Sequence, residues 1–286
     1  MRMSEVRNEH PVWKIRGRAL SLDRVLVMGI VNVTPDSFAD GGQYFDHARA
    51  LAHAKQLIDE GADIIDIGGE STRPGAAEVS PHEEIRRVVP LLEALRGETT
   101  PMSVDTSKPE VMRAALAAGA AIINDVRALQ QPGAADVVAE HACGVVLMHM
   151  QGTPATMQQA PHYRDVTKNV LQFLAQRLQY ACSRGVDRQR IAIDPGFGFG
   201  KTDAHNFTLL AELSELERMQ VPIVIGLSRK ASLGRASGRG VQDRGWASVA
   251  AALLAAERGA NIVRVHDVAA TRDALSVLEA MRGVAR

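Results

Sequence analysis

The stretch Val-Met-Gly-Ile-Val-Asn-Val-Thr-Pro-Asp-Ser-Phe-Ala-Asp-Gly-Gly, residues 27–42, decides how the rest of the chain is read. It opens as an apolar run of strand length, carries one amide, Asn32, at the end of that run, and breaks into Thr-Pro-Asp and Gly-Gly turn formers. Such a pattern describes a buried strand that hands a single polar group to a loop. Asn32 offers a neutral oxygen, suited to a hard cation such as Mg2+ that draws its negative charge from a bound phosphate. The competing reading is an ordinary strand-to-helix connection.

Upstream, residues 12–15 and 19–22 flank Arg16-Gly17-Arg18 and read as a β-hairpin over 11–22. Downstream, 46–60 has apolar residues at helical spacing and stops at Gly61, while 62–67 is a second apolar run that exits into a polar loop. Ser80-Pro81-His82-Glu83 then opens a helix with a capping-box pattern. Strand-like runs follow at 101–104, 121–124, 145–149, 191–194, 222–226 and 261–266, separated by helical segments at 110–118, 164–184, 204–219, 246–258 and 271–282. Eight alternating units without a linker or a shift in composition predict an α/β fold: a single (β/α)8 TIM barrel over 27–282 with a short N-terminal β-hairpin. One domain then spans 1–286, and the hairpin is placed to plug the bottom of the barrel. A Rossmann arrangement would need G-x-G-x-x-G after the first strand, which is absent.

The chain has 286 residues, 46% of them hydrophobic, enough for a barrel core. Lys+Arg and Asp+Glu stand at 33 each, which gives no broad electrostatic reason to expect nucleic acid or an anionic membrane as partner. No run has the length of a membrane-spanning helix and the first ten residues lack a signal-peptide core, so the expected compartment is the cytoplasm. Cys143 and Cys182 lack metal-ligand spacing and are expected to be buried free thiols.

Barrel chemistry sits at the C-terminal ends of the strands. Asn32, Asp105, Asn124, His149, Asp194 and His266 each close an apolar run, and period-two alternation puts Arg264 on the face of His266. Left unpaired in the interior such groups would cost on the order of 1–3 kcal/mol each, so they pair with one another or with a ligand. His149 alone reads as a scaffold residue and stays outside the expected site. The segment 194–202 ends in Gly-Lys-Thr, yet Pro195 stands where a phosphate loop needs its first glycine, and the helix starts only at about Asp203. Its glycines are expected to let the backbone lie against a flat ligand, with Phe199 as an aromatic wall.

Eight strings at successive strand ends carry a resemblance to the dihydropteroate synthase family: 28–42, 69–75 (Gly-Glu-Ser-Thr-Arg-Pro-Gly), 103–106 (Ser-Val-Asp-Thr), 123–126 (Ile-Asn-Asp-Val), 148–152, 194–201, 226–230 (Gly-Leu-Ser-Arg-Lys) and 264–268 (Arg-Val-His-Asp-Val). The resemblance covers about 13–281 and implies condensation of 6-hydroxymethyl-7,8-dihydropterin diphosphate with p-aminobenzoate. A pterin edge needs a carboxylate, an amide and a cation in fixed places. By resemblance Asp194, Asn124 and Asp105 meet its nitrogens and Lys230 its carbonyl. Arg264, His266 and Mg2+ near Asn32 meet the diphosphate. Thr72 and Arg73 close over the substrates, Phe38 and Pro74 frame the aminobenzoate pocket, and Ser228 with the helix start near Lys230 takes the aminobenzoate carboxylate. Many relatives carry Ser after that lysine where this chain has Ala231, which leaves Ser232 and the helix amides for the contact. Asp105, Lys230, Arg264 and His266 are the expected catalytic residues, and sulfonamides the expected inhibitors.

The apolar segment 247–256 is explained either by burial against a neighbouring helix or by the family's homodimer. Two alternatives remain: a pterin-binding methyltransferase barrel, which needs neither diphosphate-loop string, and a non-catalytic pterin-binding paralogue.

Overall fold

The computed structural model describes residues 11–33, 43–71 and 78–284. An antiparallel pair, β1 (Val12–Ile15) and β2 (Arg18–Ser21), precedes an alternation of strands and helices in which two helices stand before the last strand. Its members are β3 (Leu26–Asn32), α1 (Gln43–Asp59), β4 (Ile64–Gly68), α2 (Pro81–Ala94), β5 (Met102–Asp105), α3 (Pro109–Ala118), β6 (Ile122–Asp125), α4 (Ala134–His141), β7 (Gly144–Met148) and α5 (Val166–Ser183). There follow β8 (Ile191–Asp194), α6 (Asp203–Ala211), β9 (Val224–Gly226), α7 (Ala231–Ser237), α8 (Gly245–Glu257), β10 (Ile262–Val265) and α9 (Val268–Val284). Strands β3 to β10 form one parallel sheet in the order β8-β7-β6-β5-β4-β3-β10-β9. A bridge between Ile193 and Ile223, with Ile193 N donating to Pro222 O at 2.9 Å, joins its two ends. The expected barrel is therefore the observed one.

Strands covered on both faces need apolar side chains in both directions, and β4 and β7 are buried at every residue. Outward side chains pack under the helices, while inward ones, among them Met28, Ile64, Ile122 and Val146, meet the hairpin at the bottom. Trp13 and Ile15 are fully enclosed there, and Trp13 Nε1 donates to Arg190 O at 2.9 Å. Gly144 makes room for the plug, because a Cβ on it would stand 2.7 Å from Ile15 Cγ2. Cutting Trp13 back to Ala would cost about 3–5 kcal/mol.

Several local expectations are corrected. Ser80 Oγ does accept from Glu83 N at 3.2 Å, but Glu83 turns to Arg86 and Arg87 instead of completing a capping box. The complete box lies at Thr202 and His205, where histidine replaces the usual Glu. The helix expected at 204–219 stops at Ala211 and continues as a 3-10 turn, Leu213–Met219. Helices α4 and α7 were not legible in the periodicity: they have eight and seven residues, and α7 contains Ser and Gly. Both cysteines are free, yet only Cys143 is buried, Cys182 being half-exposed. No described helix is long and apolar enough to cross a membrane.

Candidate active site

Strand register sets the site. Asn32, Gly68, Asp105 and Asn124 are direct neighbours on β3 to β6, forming one inward tier at the C-terminal mouth. Two residues deeper, Asp66 on β4 stands beside Ser103 on β5. Arg264 comes in from β10 beside Gly226, and Asp194 closes β8 beside Met148. Above this tier opens a cavity of about 980 Å³, lined by Asn32, Asp105, Phe199, Ser228, Lys230, Arg264 and His266 among others. Asn124, level with Asp105, and Asp194 at the end of β8 are more deeply buried, at 6% and 5% exposure.

The buried polar groups pair with one another. Arg264 donates from Nε to Asp66 at 2.6 Å and from Nη2 to Asp105 at 2.9 Å, and Asn124 Nδ2 donates to the same Asp66 oxygen at 3.1 Å. Asp194 accepts from Gly196 N at 2.7 Å. Burial pushes Asp105 up to about 7 in spite of the Arg264 charge, with Asp66, Glu84 and Asp125 adding to the push. Burial likewise lifts Asp194 to about 6, against Gly196 N–H and the charges of Lys230, Arg264 and Lys201. It lowers Lys230 to about 8, Arg264 contributing, and Lys230 Nζ rests 4.1 Å from the centre of the Phe199 ring. Phe199 lies on the cavity wall.

His266 is held down at about 3 by burial and by the Arg229 and Arg264 charges, so in this site it is a neutral imidazole. Its Nδ1 lies 2.9 Å from Ser228 Oγ, which also accepts from His266 N at 3.2 Å. Ser228 thus aims the ring. The second nitrogen can serve the cavity as a neutral donor.

Lys201 takes no part in the cavity chemistry: its Nζ donates to Gly196 O at 2.8 Å, to Phe199 O at 3.0 Å and to His149 Nδ1 at 2.9 Å. His149 is the scaffold residue foreseen from the sequence. Gly198 lies on the cavity wall, but the other two glycines of this loop serve a different end from the one expected. A Cβ on Gly196 would stand 1.8 Å from His149 O, and one on Gly200 2.6 Å from Gln151 O, so they accommodate neighbouring backbone and not a ligand.

The expected contact from Ser232 is also corrected. Its hydroxyl donates to Asp203 at 2.6 Å and accepts from Asn206 at 3.0 Å, so it is spent inside the scaffold. Phe38, Thr72, Arg73 and Pro74 lie outside the described residues. Asp66 was missed in the sequence, because it sits mid-strand in a run that otherwise reads as purely apolar. The signal was there: a carboxylate two residues before a strand end faces the same way as that end.

Among the described residues no group of three or more His, Cys, Asp or Glu could hold a metal. Mg2+, however, keeps several waters and takes one or two protein oxygens alongside substrate phosphates. Gly68 leaves space beside Asn32, since a Cβ on it would lie 3.4 Å from Asn32 Oδ1. This donor set fits Mg2+ carried in with a phosphate and no free-standing ion.

A closed parallel barrel with carboxylates, an amide and two cations gathered around a cavity at the C-terminal ends of its strands has the architecture of a barrel enzyme with a polar pocket. The family described as pterin binding enzyme matches residues 28–266. Dihydropteroate synthase of Escherichia coli K12 is 49% identical over 267 residues, covering 93% of this chain and 94% of its own length. Xanthomonas albilineans dihydropteroate synthase with 4-aminobenzoic acid superposes with a TM-score of 0.91 at 56% identity, over 96% of this chain and 98% of that one. The same organism's enzyme in complex with 7,8-dihydropteroate gives 0.87 at 54% identity, over 95% and 99%. The chain belongs to the dihydropteroate synthase family of pterin-binding enzymes.

Proposed function

We propose that this chain condenses 6-hydroxymethyl-7,8-dihydropterin diphosphate with p-aminobenzoate to 7,8-dihydropteroate and diphosphate, in the cytoplasm. The observation that carries this is the pairing of Asp105 with Arg264 at 2.9 Å on the wall of a cavity that Lys230 and His266 also face. The aniline nitrogen of p-aminobenzoate is unprotonated at neutral pH and needs no strong base. The barrier lies in breaking the bond from the exocyclic methylene to the diphosphate oxygen, which leaves positive charge on the dihydropterin.

Arg264 and the neutral His266 bind the departing diphosphate, while the Asp105 carboxylate faces the developing cation and stabilises it electrostatically. Asp194 and Asn124 hold the pterin edge, and Lys230 donates to its carbonyl. Nitrogen attack then closes the new C–N bond and the amine proton leaves to water. Mg2+, when bound with an oxygen of Asn32, would neutralise diphosphate charge. Thr72, Arg73, Phe38 and Pro74 belong to this proposal by family resemblance alone.

A homodimer is part of the same reading. Trp246 and Leu254 on α8, at 84% and 42% exposure, and Val277, Met281 and Val284 on α9, at 56–89%, leave a run of large apolar side chains uncovered on two packed helices.

The test is diphosphate release from the dihydropterin diphosphate with Mg2+, with and without p-aminobenzoate. Release that requires p-aminobenzoate and yields dihydropteroate is the expected result. Binding of the pterin compound without such release would identify a non-catalytic paralogue and sink the proposal.

A further inference from the structure

Asp66 is fully buried on β4, two residues below Gly68, and has no part in the chemistry just described. One of its oxygens, Oδ2, accepts from both Arg264 Nε and Asn124 Nδ2. Arg264 therefore stands between two carboxylates of unequal burial: the Asp66 side chain has 0% exposure and that of Asp105 has 11%. Neither water nor ligand can compete for the inner bond. The outer bond lies on the cavity wall, where an incoming N–H donor can replace it.

We propose that Asp66 is a positioning residue that anchors Arg264 and Asn124 from below, so that Asp105 can exchange its bond to Arg264 for the ring N–H groups of the pterin. This rests on the synthase reading. With Asp66 in place, Arg264 keeps a counter-charge whether or not Asp105 stays with it. Without that charge Asp105 becomes the sole carboxylate on Arg264 among the described residues, and parting them leaves a buried cation uncompensated. Asp105 is then tied to Arg264 just when the developing pterin cation needs it. The same anchor fixes Asn124 and Arg264 in one rigid unit beneath pterin and diphosphate.

Asp66→Asn separates charge from shape. The amide keeps an oxygen for Arg264 and Asn124, and its NH2 replaces Oδ1, an atom with no partner among the described residues. Steady-state kinetics and calorimetric titration with dihydropterin diphosphate would be run on D66N, D66S, D105N and D66N/D105N beside the unmodified chain. D66N should lower kcat at least tenfold with KM for the pterin diphosphate within threefold. Added to D105N it should lower kcat less than threefold further, because both changes act on one exchange. D66S, which also removes the shared acceptor, should lose kcat to the same degree and weaken pterin binding besides.

A D66N chain with kcat within threefold of the unmodified chain would overturn the proposal. So would equal losses from D66N in the presence and absence of D105N, or a change confined to KM. Failure of both D66N and D66S to fold would assign Asp66 to the scaffold and overturn it equally. Absence of dihydropteroate formation by the unmodified chain is a separate outcome, which defeats the synthase reading before any variant is scored.

Discussion

Lys108 Nζ stands 2.6 Å from Glu84, a carboxylate with no exposure, and 2.8 Å from Glu70 on its other side. Glu70 in turn accepts from Val79 N at 2.7 Å. One ammonium at the start of α3 thereby ties α2 to both stems of the connection that follows β4. Lys108→Met would leave Glu84 buried and uncompensated, a loss of about 3–5 kcal/mol in unfolding free energy. Adding Glu84→Gln should recover much of it. Urea titration of the three chains measures both changes.

Asp105→Asn is expected to lower kcat by about 10²–10³, the usual scale for removing one group that stabilises transition-state charge, with pterin affinity changed far less. The charged form is the active one. Since burial places Asp105 at about 7, the rate should decline as pH falls through that value. A pH profile with no such limb, or turnover unaffected in D105N, would contradict the role.

Burial, with the Lys201 ammonium next to it, holds His149 at about 3, against 6.5 when unperturbed. Between those values the unfolded chain binds a proton that the folded chain refuses. The histidine's contribution is therefore intact above pH 6.5, falls by up to about 1.4 kcal/mol per pH unit below it, and is exhausted near pH 3. His149→Asn keeps an acceptor for Lys201 and removes the titration. The gap in unfolding free energy between the native chain and this variant should shrink from pH 7 to pH 4, which denaturant titrations at each pH would reveal; a constant gap would speak against it.

Sulfonamides should inhibit by competing with p-aminobenzoate, and raising p-aminobenzoate should restore the rate. Position 231 carries no hydroxyl and that of Ser232 is committed to Asp203 and Asn206. Ala231→Ser should therefore lower KM for p-aminobenzoate several-fold, the effect of one added hydrogen bond of about 1 kcal/mol, with kcat little altered. Initial-rate kinetics in both substrates decides each point.

Trp246→Glu together with Leu254→Glu should convert a two-chain species into a single chain in analytical ultracentrifugation. Both substitutions fall on the uncovered side of α8, away from the cavity, so the melting temperature at low protein concentration should move little. A native chain that sediments as one copy at micromolar concentration would refute the homodimer.

Much of this architecture was written in local patterns. The barrel followed from eight apolar runs, and Asn32, Asp105, Arg264 and His266 from their places at or beside strand ends, where period-two alternation fixes direction. What could not be read depends on partners distant in the chain. Asp66 meets Arg264 across 198 residues, and nothing near either one announces the other. Gly196 and Gly200 looked like concessions to a ligand because the backbone that crowds them, at His149 and Gln151, belongs to another loop. Ser232 looked available because Asp203 and Asn206, which occupy it, lie on a different helix. Short helices such as α4 and α7 rest on packing more than on propensity, so periodicity had little to report.

The sealed lower end, with Trp13 and Ile15 wedged among the strands, also dictates traffic. A barrel stoppered at one end is a blind shaft, and every molecule must enter and leave by the same opening. If Asp194 and Asn124 take the pterin, as proposed, it has to descend first, and the aminobenzoate arrives on top of it. The order of arrival is thus imposed by a tryptophan on the opposite side of the protein, and kinetics should show a compulsory sequence and not a random one.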